Sequence, residues 1–282
     1  IGMNEDAPDS ALFELLAAGM YRVHPVRVPI LGTHETIREI TPEILYLCHR
    51  AFYAPGNMTL CVLGDVDPER VIALARQVLG DEKREVAEKL RDWQEDMTPA
   101  EPYVHANMEV AMPTFTMAFK CESPGTGEEA IRQEMVADLA AEALFGESSD
   151  LYLQMYDRGI IDGSFGGGFE TLEDCAMLCA GGDSDHPEQV RDEICREAER
   201  LAAEGIDESA FLRMKRSALG RRIRGLDSMD GTAFRVCAYH YAGFDYFRFP
   251  EIYREITARD IQTFLAQNVQ QEYCAISIIT PL

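Results

Sequence analysis

Residues able to do chemistry are thinly spread along this 282-residue chain. Six histidines, His24, His34, His49, His105, His186 and His240, stand apart from one another. No two lie at i, i+2, i+3 or i+4, the spacings that let one strand or helix face offer two imidazoles to zinc. Gly163, Gly166, Gly167 and Gly168 are not followed by the Lys-Ser/Thr of a phosphate loop. Ser164 has Asp162 two positions before it where a nucleophile elbow needs glycine. Asp183-Ser184-Asp185 opens like a calcium loop, then lacks its glycine and closing glutamate. Two features are left. Gly166-Gly167-Gly168 interrupts a strand pattern, where glycine marks either a bulge or the close approach of another backbone, such as a peptide added at a sheet edge. Arg158, just before Gly159, reads by itself as an exposed cation near the negative end of a helix.

The elements that must position these residues are organised around Arg38 to Pro68. Thr41 is a good N-cap, Pro42 suits the first helical turn, and Glu43 suits the positive helix end. A helix should run from Pro42 to a stop at Pro55-Gly56-Asn57, with Ile44, Leu45, Cys48, Ala51 and Phe52 on its apolar face. Met58 to Leu63 reads as a short buried strand, and Glu69 to Leu79 as the next helix. The pattern recurs. Arg254-Glu255-Ile256-Thr257 repeats Arg38-Glu39-Ile40-Thr41, and a helix (Ala258 to Gln267) and an apolar strand (Tyr273 to Ile279) follow at nearly the same distance. An internal duplication is the reading, and it makes the two copies unequal. Well over a hundred residues precede the second repeat within its copy, whereas the first has only the segment from Ile1 onward. If the copies were once equivalent, the expectation is a first copy shorn of its front half, and Ile1, which is not methionine, fits an excerpt or a processed product.

The chain accordingly divides into 1–81, the remainder of a first module; 82–102, a charged linker holding a favourable Glu85–Lys89 pair; and 103–282, a complete second module. The second module should open with two paired strands, Tyr103 to Ala111 and Thr114 to Cys121. In the latter, Thr114, Thr116 and Lys120 form the wetter face and Phe115, Met117 and Phe119 the buried one. Helices follow at Glu128 to Phe145 and Leu151 to Asp157, strands at Gly163 to Thr171 and Ala176 to Asp183, and helices at Glu188 to Ala203 and Glu208 to Arg224. Strands grouped with helices, without regular alternation, predict an α+β fold of tandem modules with mainly antiparallel sheets.

Charge and cysteine usage narrow the function. A net charge of −23, from 49 acidic and 26 basic side chains, argues against a nucleic-acid partner, which needs clustered lysine and arginine. No apolar run approaches the roughly 20 residues of a membrane span, so no membrane partner is expected. Eight scattered cysteines without C-x-x-C spacing resemble reduced core thiols of a cytoplasmic protein.

The run His49-Arg50-Ala51-Phe52-Tyr53-x-Pro55-x-Asn57-Met58-x-Leu60-x-Val62-x-Gly64-Asp65-Val66-Asp67, with His24-Pro25-Val26 and Gly32-Thr33 before it, resembles the pitrilysin/insulinase family of zinc metallopeptidases. It is closest to small bacterial members built, like mitochondrial processing peptidase subunits, from two similar α+β halves. The resemblance implies a zinc endopeptidase whose first half carries His-x-x-Glu-His, two histidines for the metal and a glutamate to activate water. That motif is absent here, and the third zinc ligand would fall at or before Ile1, with Glu5 nearby. The expectation is therefore zinc in the intact parent, no metal site and no catalytic residue in this chain, and no activity alone. Family members also use an arginine and a tyrosine seven residues apart to hold substrate. Arg158 matches the arginine and Phe165 stands at the tyrosine position, without its hydroxyl. Together with Gly166 and Gly167, these form the implied peptide-binding set. The implied partners are a peptide substrate and the front half or a homologous subunit, commonly in a dimer. A non-catalytic paralogue, binding or scaffolding beside an active relative, is the alternative.

Overall fold

The computed structural model describes residues 1–79, 93–172 and 174–282. Short α1 (Gly2–Glu5) leads into α2 (Pro8–Met20), then α3 (Pro42–Phe52) and α4 (Pro68–Leu79). Beyond the undescribed stretch come β1 (Tyr103–Met108), β2 (Thr114–Cys121), α5 (Glu128–Phe145), α6 (Asp150–Asp157), β3 (Gly166–Leu172) and β4 (Cys175–Asp183). Helices α7 (Pro187–Glu204), α8 (Glu208–Arg224), α9 (Met229–Tyr241), α10 (Phe249–Glu255) and α11 (Ala258–Asn268) precede β5 (Cys274–Pro281). The charged Glu85–Lys89 pair lies outside the described residues.

The five strands form one sheet in the order β1-β5-β2-β4-β3. Three of its four ladders are antiparallel, and β1 runs parallel to β5. The architecture is the expected α+β, but β1 and β2 do not pair with each other. Strand β5 inserts between them, with Met117 opposite Ile276 on one side and Tyr103 beside Ile276 on the other. Pairing over so long a sequence interval leaves no local signature, and adjacency along the chain misleads.

Each face of the sheet is covered. Phe115, Met117, Phe119, Leu178 and Ile276 pack under α5, α7 and α11 in the main core. The other face lies under α2, where Leu16, Met20 and Tyr21 meet Ala118, Cys175, Met177 and Ala275. This second cover corrects the expected wet face of β2. Lys120 is only 3% exposed: its Nζ donates to the Met20 carbonyl at 3.2 Å and to Glu95 Oε2 at 3.0 Å, and sits 4.3 Å above the Tyr21 ring.

The repeated Arg-Glu-Ile-Thr tetrapeptide marks matching geometry. Thr41 (φ −106°, ψ 162°) and Thr257 (φ −118°, ψ 163°) precede helices of 11 residues each. Thr41 Oγ1 accepts from the Ile44 N–H, whereas Thr257 closes a capping box with Asp260. The same interval separates Pro42 from Ala258, Phe52 from Asn268, Pro55 from Gln271 and Met58 from Cys274, so helix, 3-10 turn and extended segment recur in step. What differs is burial. Leu45, Leu60 and Val62 are 59%, 66% and 45% exposed, while their counterparts Ile261, Ile276 and Ile278 are at most 2% exposed. Met58 to Leu63, read as a buried strand, is extended at Met58 (φ −128°, ψ 147°) but belongs to no ladder among the described residues. A strand needs ladder partners, and none stands beside this segment among the described residues; α4 and Cys237 of α9 cover it only in part.

Candidate functional site

The glycine-rich strand β3 lies at the edge of the sheet. It is hydrogen-bonded to β4 on one side, and no strand lies on its other side among the described residues. Its free backbone N–H and C=O groups form the kind of row to which an extended chain adds.

The three glycines have different reasons to be glycine. A Cβ at Gly167 would meet the Cys179 carbonyl oxygen at 2.1 Å, Ala180 Cα at 2.8 Å and Phe145 Cε2 at 2.8 Å. Gly167 is there so that β3 can lie close to β4 and α5. Gly166 and Gly168 face open space, with no atom within 4 Å of the place a methyl would take. The bulge-or-approach alternative thus divides by residue: packing accounts for Gly167, and room beside the strand accompanies Gly166 and Gly168.

Arg158 caps α6 at the start of the turn that feeds β3. Its N–H donates to the Gln154 carbonyl at 3.2 Å, and Gly159 (φ +66°) then turns the chain. The guanidinium forks onto Glu193 of α7, with Nη1 to Oε2 at 3.0 Å and Nη2 to Oε1 at 2.5 Å. Glu193 is 8% exposed and also accepts from Gln189 Nε2 at 2.9 Å. The bonds from Arg158 lower its pKa ahead of the opposing effect of burial, with Gln189 adding to the lowering. Two of the five guanidinium N–H donors are used on Glu193, and the half-exposed group keeps the rest. Arg158 is therefore a held cation, oriented by a carboxylate that the sequence pattern did not single out.

The turn between Arg158 and β3 is tied in several places. Asp162 Oδ1 accepts from the N–H and hydroxyl of Ser164 at 2.8 and 2.6 Å, and these bonds lower the Asp162 pKa. Ser164 Oγ accepts from the Asp183 N–H at 2.9 Å, while Ser184 Oγ donates to the Ile160 carbonyl at 2.6 Å. Phe165 closes the turn and is 4% exposed. Its ring packs among Phe115, Phe145 and Tyr152, at centroid distances of 6.4, 6.4 and 6.1 Å. The site thus divides again: Arg158, Gly166, Gly167 and Gly168 are reachable from solvent, though at Gly167 there is no room for a side chain, and Phe165 shapes the strand from within. Phe165→Tyr is expected to lower stability by about 1–3 kcal/mol, the cost of burying a hydroxyl among rings without a partner. Urea denaturation of the two proteins measures it, and coincident midpoints would place the new hydroxyl in reach of a partner.

A charged cleft that sequence reading missed opens beside the same strand. It has a volume of about 330 Å³ and is lined by Gly167 and Gly168, by Asp138, Glu142 and Phe145 of α5, and by Arg221, Arg222 and Arg235 from α8 and α9. Arg222 donates to the Tyr239 hydroxyl at 2.5 Å and faces Glu134 and Asp138 at 3.4 and 3.3 Å. Burial pushes the Asp138 carboxyl up to about 6 against the pull of Arg222, and the charges of Glu134 and Glu170 add to the rise. These carboxylates and guanidiniums lie 84 to 88 residues apart in the chain, so no local spacing could have revealed them.

Among the described residues, no three His, Cys, Asp or Glu side chains gather closely enough to hold a metal ion. Glu5 faces the His34 ring, at 3.4 Å. All eight cysteines are free, and no described helix is long and apolar enough to cross a membrane.

Comparison with known proteins agrees with the resemblance drawn from residues 49–67. The chain is 29% identical over 290 residues to the uncharacterized zinc protease YmfH of Bacillus subtilis; the match takes in 100% of this chain and 66% of that protein's length. Over 80 residues it is 35% identical to an uncharacterized zinc protease of Mycobacterium leprae, spanning 28% of this chain and 18% of that one. The crystal structure of an M16-like peptidase from Alicyclobacillus acidocaldarius superposes with a TM-score of 0.93 at 26% identity, covering 100% of this chain and 68% of that one. The M16 inactive domain from Pseudomonas fluorescens shares the fold, with a TM-score of 0.81 at 16% identity over 100% of this chain and 68% of its own. Residues 39–218 match the family model described as the peptidase M16 inactive domain, and to that family this chain belongs.

Proposed function

We propose that this chain is the substrate-holding portion of an insulinase-like zinc endopeptidase. It takes a peptide in extended form along the outer edge of β3, with Arg158 offering its remaining N–H donors to peptide carbonyls. Metal and general base come from elsewhere, either a front half of the same protein or a homologous subunit. The observation that carries this reading is the unpaired edge of β3, with open space at Gly166 and Gly168. The exposed apolar positions of the first unit, Leu45, Leu60 and Val62, support a further layer that covers them on assembly. We propose pairing through that layer, and a cytoplasmic setting in keeping with eight unpaired thiols.

The test is direct. The 282-residue chain, purified alone, is expected to hold no stoichiometric zinc and to leave a quenched-fluorescence peptide uncut. Mixing it with a polypeptide that supplies His-x-x-Glu-His and the missing layer is expected to restore zinc-dependent cleavage. Arg158→Ala in the restored enzyme should then lower kcat/KM by at least about tenfold, the loss of roughly one charge-assisted hydrogen bond. One tightly held zinc per chain with hydrolysis by the chain alone would overturn the reading. A second reading, a non-catalytic subunit, draws on the family description as an inactive domain and on Phe165, which brings no hydroxyl to the strand. It predicts that the mixture binds peptide and never cuts it.

A further inference from the structure

The cleft against Gly167 and Gly168 contains one cation without a counterpart among the described residues. Arg221 is paired with Glu142 at 2.8 Å, and Arg222 with Glu134 and Asp138. Arg235 lines the same cleft, is half-buried, and has no hydrogen bond or ion pair among the described residues. A partly desolvated guanidinium is stabilised by a carboxylate that meets its planar fork. No carboxylate among the described residues does so here; the guanidinium lies beside Gly225, in the cleft whose other wall is Gly167 and Gly168 of the strand that the proposed function assigns to peptide.

We propose that this cleft receives a carboxylate of the bound peptide, which pairs with Arg235. The inference rests on strand addition at β3 and goes beyond it by naming what the site selects. The carboxylates already present do not exclude the newcomer, because Glu142, Glu134 and Asp138 face Arg221 and Arg222. The volume of about 330 Å³ is at the small end for a ligand pocket, enough for one side chain or one chain end rather than a segment. Two sources offer the same chemistry, an Asp or Glu side chain within the peptide and a free C-terminus.

The strand edge also predicts a second preference. Leu172, at the far end of β3, is 40% exposed and lines an apolar cleft with Phe13, Val26, Ile30 and Trp93. Gly167 and Leu172 are an odd number of positions apart, so their side-chain directions fall on opposite sheet faces. A peptide lying along β3 would thus place its carboxylate toward α5 and, five positions away, an apolar side chain toward α2.

Fluorescein-labelled decapeptides test this by anisotropy with the 282-residue chain. Three carry, at the carboxylate position, Asp with an amidated end, Asn with an amidated end, or Asn with a free C-terminal carboxylate. Binding of either carboxylate peptide about tenfold more tightly than the amidated Asn peptide, with the difference abolished by Arg235→Gln and partly kept by Arg235→Lys, is the expected result. Whichever of the two carboxylate peptides gains identifies the source. Hydrogen exchange on the complex with the amidated Asn peptide reads strand addition separately, through protection of the amides of residues 166–172. Protection with equal affinity for all three peptides would overturn the carboxylate pocket and leave strand addition standing. Absence of both protection and binding would overturn strand addition and the pocket with it.

Discussion

Glu95→Ala is expected to cost the fold about 3–5 kcal/mol, the penalty for leaving a buried ammonium without its counter-ion. Glu95 Oε2 lies 3.0 Å from Lys120 Nζ, with side-chain exposures of 11% and 3%. The same carboxylate accepts from the backbone N–H groups of Arg22, Val23 and His24 at 3.2, 2.5 and 2.6 Å. One side chain thus neutralises the lysine on β2 and fixes the chain as it leaves α2. Burial raises the Glu95 pKa, but the Val23 and His24 amides and the lysine outweigh it and bring the value from 4.5 to about 2. A carboxylate whose folded pKa is depressed contributes its full stability above the unfolded value, and loses that contribution as pH falls through the folded one. Urea midpoints of wild type and Glu95→Gln should therefore differ most above pH 4.5 and converge as pH approaches 2. A constant difference across that range would mean that the charge itself contributes nothing.

The second large effect is expected at Gly167. Gly167→Ala should destabilise by about 3 kcal/mol, the upper part of the range for overpacking, because two of the three atoms in its way are backbone and the third belongs to the buried Phe145 ring. The Cys179 carbonyl stands 2.1 Å from the new methyl, so β3 can accept it only by parting from β4. Gly166→Ala and Gly168→Ala meet nothing within 4 Å and should be neutral or gain about 0.5–1 kcal/mol from reduced freedom of the unfolded chain. Chemical denaturation of the three variants separates packing from open space residue by residue. Equal losses at all three would mean that the strand tolerates no side chain anywhere along this run.

Much of this was legible locally. The helix from Glu128 to Phe145 and the Thr41 and Thr257 caps were readable because capping and 3.6-residue periodicity are properties of neighbouring residues. Gly166 and Gly167 could be singled out by type and place in a strand pattern, and Arg158 through the family resemblance, but their surroundings could not. Glu193, which orients Arg158, lies 35 residues further on, and Arg222 meets Asp138 across 84. Lys120 was read as wet because alternation reports two faces and cannot tell whether a helix from a hundred residues earlier covers the second. Met58 to Leu63 has the composition of a core strand, and composition carries no information about which partner completes the ladder.

The place of β5 in the sheet bears on how the protein is made. Tyr103–Met108 and Thr114–Cys121 leave the ribosome long before Cys274–Pro281, the strand that lies between them. During synthesis those two strands therefore wait with a central slot open, and helices α5 to α11 assemble over an unfinished surface. Such an interval exposes backbone to mispairing and makes closure a slow step governed by distant contacts. The nascent chain stays vulnerable until β5 slides into the gap.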